Sequence, residues 1–156
     1  MTSATIIVFE KQPRWTPELQ RQFDGDDVRV RGCTTAADVV HTIASLPKPL
    51  AAAEFDLTNE SPASVIAPLR DRLVGTLILL DLASGPADCL QFLGRSLNAT
   101  DFPPTVVIGS QELADLEWPV RELGALDFLL GHLSGDDLAA ICRRQLPSVP
   151  SRQANL

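Results

Sequence analysis

The chain has 156 residues, 45% of them hydrophobic and 21% charged, with a net charge of −7 and three cysteines. That length suits one domain around one core, and an acidic surface repels phosphate backbones and anionic lipid, which argues against nucleic acid and membrane surfaces as direct partners. The cysteines, Cys33, Cys89 and Cys142, are far apart and in no metal-ligand spacing; they read as reduced thiols acting as small apolar residues. The opening MTSATIIVFEKQ lacks the basic and long apolar regions of a signal peptide. No apolar stretch approaches the roughly 20 residues that span a bilayer, so a cytoplasmic protein is expected.

Taken in chain order, short apolar runs alternate with helical periods. Thr5–Phe9 (TIIVF) reads as a first strand ending at Glu10, followed by a helix around Pro17–Phe23. Val28–Val30 is a second strand. Thr35-Ala-Ala-Asp38 has capping-box spacing, and Val39, Val40, Ile43 and Leu46 then form an apolar stripe with His41 beside it. Leu50–Phe55 reads as a third strand ending at Asp56, with Ser61-Pro62 opening a helix that Pro68 kinks or shortens. Thr76–Leu80 is a fourth strand ending at Asp81, and Pro86 opens the helix carrying Cys89, Leu90, Leu93 and Leu97. Thr105–Gly109 is a fifth, with Ser110 preceding Leu113, Leu116, Val120 and Leu123. Leu126–Leu130 is a sixth; Ser134-Gly-Asp-Asp137 caps the last helix, with Leu133 and Leu138 spaced as a hydrophobic staple. Trp15 and Trp118 read as packing anchors. Residues 1–146 thus form one domain of six βα units, and residues 147–156, rich in Pro, Ser and Gln, a flexible tail.

Repeated strand–helix units predict an α/β fold, a doubly wound parallel sheet with helices on both faces. In such sheets reacting groups collect at the carboxyl ends of the strands. Those positions hold Glu10, Asp56, Asp81, Gly109 with Ser110, and Gly131 with His132. Converging carboxylates repel unless a hard cation binds between them, which makes the three acids Glu10, Asp56 and Asp81 candidate Mg²⁺ ligands, and one carboxylate can attack a phosphoryl group. The loop after the first strand has no Gly- or Ser/Thr-rich phosphate cradle, and no dinucleotide, Walker, nucleophile-elbow or zinc pattern occurs.

Three stretches carry a family resemblance. LILLDLASGPADCLQFLGRSL (Leu77–Leu97) is similar to the segment of response-regulator receiver domains that holds the phosphoaccepting Asp. PPTVVIGS (Pro103–Ser110) resembles their next strand, and LGALDFLLGHLSGDDLAAI (Leu123–Ile141) their last strand and helix. The resemblance spans most of the chain, with about 47–75 as an insertion relative to a five-unit, flavodoxin-like receiver.

The resemblance implies an acidic pair for Mg²⁺ after the first strand, an acceptor Asp after the third, a Thr or Ser after the fourth and a Lys after the fifth. Glu10 matches one acid of the pair, with Lys11 beside it. Asp81 matches the acceptor, Asp56 being an alternative register. Gly109 stands at the hydroxyl position with Ser110 one residue late; Gly131 stands at the Lys position and His132 at the following Pro. Losing a preorganised electrostatic contact of that kind costs about 3 kcal/mol.

The expectation is therefore a degenerate receiver, not an enzyme and without a cofactor beyond weakly held Mg²⁺, that signals through protein contacts. Its surface would include Trp118, Val120, Phe128 and the helix from Asp136 to Arg143. Its partners would be a histidine kinase, a phosphotransfer protein, another signalling protein or a second copy. A genuine phosphoacceptor using Asp81 or Asp56, and a flavodoxin-like small-molecule binder, are the alternatives.

Overall fold

The computed structural model describes residues 4–46, 75–96 and 102–146. Within them, five strands form one parallel sheet: β1 (Ala4–Phe9), β2 (Val28–Cys33), β3 (Thr76–Asp81), β4 (Thr105–Gly109) and β5 (Asp127–Leu130), in the order β2-β1-β3-β4-β5. Five α-helices accompany them: α1 (Trp15–Gln22), α2 (Ala36–Ser45), α3 (Pro86–Ser96), α4 (Glu117–Glu122) and α5 (Gly135–Gln145). The predicted strand Leu50–Phe55, the helix after it, Asp56 and the tail from residue 147 lie outside the described residues.

The three central strands are buried on both faces, which is why they read as unbroken apolar runs rather than as alternation. Each face has its own core. Ile6, Val8, Leu77, Leu79, Val106 and Ile108 meet α1 and α5 through Trp15, Leu19, Leu138 and Cys142. On the other face Ile7, Phe9, Ile78, Leu80 and Val107 meet α2, α3 and α4 through Val39, Phe92, Leu93 and Val120. Each fully buried Ile, Leu or Val contributes about 1.5–3 kcal/mol, so these two layers fix the strand ends that matter below.

Local signals explain the helix starts. Thr35 Oγ1 accepts the Asp38 amide at 3.1 Å and Ser134 Oγ the Asp137 amide at 3.1 Å, as the capping-box spacings predict. Pro86 is the first residue of α3. Between β4 and β5 the single predicted helix is instead a 3-10 stretch, Gln111–Leu116, followed by α4; Ser110 makes no side-chain cap there. The first helix begins two residues earlier than expected.

Two expectations about the exposed surface are corrected. Val120 is fully buried and Phe128 only 6% exposed, both in the core beneath α4, because α4 turns Val120 inward onto β5. Trp118 behaves oppositely: it is 71% exposed, not a packing anchor, and Leu126 beside the start of β5 is also exposed.

Candidate functional site

The parallel register brings the candidate residues to one edge. Phe9 pairs with Leu80, so Glu10 and Asp81 follow at the ends of neighbouring strands. Asp81 pairs with Ile108, one residue before Gly109, and Gly109 pairs with Leu130, one residue before Gly131.

Glu10 is buried and its carboxylate is fully engaged. Oε1 accepts the amides of Arg14 (3.1 Å) and Thr16 (2.9 Å) and the Thr16 hydroxyl (2.8 Å); Oε2 accepts the Trp15 amide (2.9 Å). These are the orphan donors of the α1 N-terminus. Arg14, the N-cap residue, has no side-chain cap of its own and lays its guanidinium over the Trp15 ring at 4.5 Å. The cap thus comes from the end of the preceding strand. Sequence reasoning missed this role because capping signals are sought at the cap position itself; the only trace is an acid closely preceding a helix that opens on Arg-Trp-Thr-Pro.

Asp81 is half-buried. Its Oδ1 accepts the Ala83 amide at 3.2 Å and its Oδ2 the Ser84 hydroxyl at 3.3 Å, holding the 3-10 turn Leu82–Ser84. Burial pushes its carboxyl above the ordinary range; the Ala83 and Ser84 bonds pull back, Glu10 adds repulsion and Arg14 a smaller attraction. Lys11 crosses this turn. Its amide donates to Ser84 Oγ at 3.1 Å and its ammonium meets Asp88 Oδ2 at 3.1 Å.

The other side of the edge is bare. A Cβ on Gly109 would lie 3.1 Å from Phe128 Cζ and 3.4 Å from Leu130 Cδ2, so a side chain there needs the Phe128 ring to give way by a few tenths of an ångström. Ser110 and His132 are exposed. Gly131 has φ +95°, a conformation side-chain-bearing residues rarely adopt. The thiol of Cys89 lies below Asp81, 3.5 Å from its carbonyl, and burial pushes it up to about 12, as it does Cys142; neither is a nucleophile at neutral pH.

No protein-family model matches the sequence, and no curated protein matches it. Solved structures do match. A response regulator from Thermotoga maritima superposes with TM-score 0.63 at 13% identity, covering 94% of this chain and 100% of that one. The receiver domain of the TMAO respiratory system response regulator TorR gives 0.64 at 16% identity, over 94% and 99%. A Francisella response regulator receiver domain gives 0.62 at 11%, over 94% and 99%.

The chain has the receiver-domain fold.

On that fold the edge just described is the place where a receiver's Mg²⁺ and phosphoryl chemistry is expected, and the residues do not fit the ion. Glu10 is turned into α1, neither of its neighbours Phe9 and Lys11 is a second acid, and Asp81 is tied to its own loop. Among the described residues no group of three or more His, Cys, Asp or Glu side chains is placed to hold a metal. Nor is any helix among them long and apolar enough to cross a membrane. Asp81 stands at the end of the third described strand, beside Glu10, while the alternative Asp56 lies outside the described residues.

Proposed function

We propose that this chain is a cytoplasmic receiver-like signalling module that works through protein contacts without phosphorylation at Asp81 and without catalysis. The observation that carries this reading is the Gly109–Phe128 packing. Gly109 carries no hydroxyl to bind a phosphoryl oxygen, Phe128 packs close to where its Cβ would stand, and Gly131 offers no counter-charge. A phosphoryl group on Asp81 would then have the Ser84 hydroxyl and the Arg14 cation nearby, the Lys11 ammonium being paired with Asp88. Losing one preorganised electrostatic contact costs about 3 kcal/mol, a hundredfold or more in rate.

The contact surface includes Trp118, exposed in the first turn of α4, and Leu126, exposed just before β5. Exposed tryptophan is the residue type that dominates binding hot spots. The partner is a histidine kinase, a phosphotransfer protein or a comparable signalling protein, or a second copy of this chain.

Intact-mass measurement with acetyl phosphate and Mg²⁺ tests the reading, alongside partner capture or self-association by analytical ultracentrifugation without phosphodonor. The expected result is no mass increment and donor-independent binding that Trp118→Ala abolishes. Stoichiometric phosphorylation that disappears in Asp81→Asn, with binding only after phosphorylation, would establish the genuine phosphoacceptor instead.

A further inference from the structure

We infer that Lys11 is a built-in strap of this sheet edge: its amide ties the β1–α1 loop to Ser84 of the β3–α3 loop, its ammonium ties it to Asp88 in the first turn of α3, and the order of these loops is thereby independent of a divalent ion. The inference rests on the reading above that the edge is not a metal and phosphoryl pocket.

Three observations converge on it. The strap has two independent anchors from one residue, the backbone amide on Ser84 Oγ at 3.1 Å and the ammonium on Asp88 Oδ2 at 3.1 Å. Ser84 in turn donates to Asp81 Oδ2 at 3.3 Å, so the strap reaches the half-buried carboxylate through one hydroxyl. The end of the lysine side chain passes over Gly85: a Cβ there would stand 3.0 Å from Lys11 Nζ and 3.3 Å from Cε, so the ammonium lies against the β3–α3 loop.

Electrostatics gives the same direction. Glu10, Asp81 and Asp88 leave this edge acidic, and a receiver-like arrangement of carboxylates needs positive charge to hold its loops together. Lys11 supplies one unit covalently beside the Arg14 guanidinium that acts on Asp81, and like-charge repulsion disfavours a further cation at the same edge. The Lys11–Asp88 pair is about half exposed at both ends, so the strap is modest in strength and screened by salt.

Amide hydrogen exchange by NMR on the full-length chain tests this, comparing wild type, Lys11→Met, Lys11→Arg and Asp88→Asn, each with millimolar Mg²⁺ and with EDTA, rates corrected for intrinsic exchange. The expected result is that the wild-type amides of Lys11, Ser84 and Gly85 exchange identically with Mg²⁺ and with EDTA. In Lys11→Met and Asp88→Asn they exchange about two- to fivefold faster, and Lys11→Arg stays at the wild-type rate. Slower exchange of the wild-type loop in Mg²⁺ would overturn the inference by putting a metal, not the lysine, at the edge. Wild-type rates in Lys11→Met, or Lys11→Arg behaving like Lys11→Met, would overturn it by removing the charge from the strap. The readout is loop protection rather than phosphoryl incorporation, so failure here and failure of the proposed function are distinguishable.

Discussion

Replacing Glu10 separates a cap from a metal ligand. Glu10→Ala removes the acceptor of three α1 amides and the Thr16 hydroxyl. The Trp15 amide is buried; those of Arg14 and Thr16 are partly buried, where water replaces some of the lost bonding. Leaving a buried donor unpaired costs about 1–3 kcal/mol; one such donor in full and two in part sum to about 3 kcal/mol. Glu10→Gln keeps one acceptor oxygen but loses the charge that strengthens these bonds and complements the helix dipole. Its amide nitrogen also faces a donor, so about 1.5 kcal/mol is expected. Urea unfolding followed by tryptophan fluorescence reads both, and on heating the Ala variant melts about 6–12 °C lower. The wild-type midpoint is expected to be the same in Mg²⁺ and in EDTA. A Glu10→Ala variant within about 0.5 kcal/mol of wild type, or a wild-type midpoint raised by Mg²⁺, would refute the capping argument.

Three further outcomes follow from the same geometry. Gly109→Thr forces its side chain against Phe128 and Leu130 and is expected to destabilise by about 1–3 kcal/mol, partly recovered in Gly109→Thr/Phe128→Leu, which urea titration checks. Burial raises the Asp81 carboxyl, so the native state holds that proton more tightly than the unfolded chain; this stability is complete below the unfolded value near about 4 and is lost as pH rises through the folded value. Asp81→Asn, which mimics the protonated form, therefore raises the melting temperature at neutral pH and loses that advantage in acid, a difference calorimetry across pH reads. Trp118→Ala leaves stability within about 0.5 kcal/mol of wild type because the ring is exposed, while the affinity for any partner bound through this face falls at least tenfold.

The strands and most helix starts were legible because their signals are local. Thr35, Ser134 and Pro86 act within one turn of themselves, and TIIVF, TLILL and TVVIG are buried on every residue and, after the leading Thr, carry no polar side chain because both faces are covered. The site was legible only as positions. That Glu10 and Asp81 share an edge follows from the parallel topology, but the direction in which Glu10 points depends on where α1 begins, and a helix opened by Arg14 carries no cap signal. Val120 and Phe128 were misplaced on the surface because a six-residue helix behind a 3-10 stretch sets its inward face by packing rather than by a readable period. The loop-spanning contacts of Lys11 join residues 73 positions apart and leave no mark on local sequence.

Phe128 and a side chain at position 109 compete for one volume, so the two positions are not independently variable. A side chain at 109 fits only as far as the ring shifts by a few tenths of an ångström, and shrinking the ring while 109 stays glycine opens a void. Which side chain is tolerated at 109 therefore depends on what stands at 128.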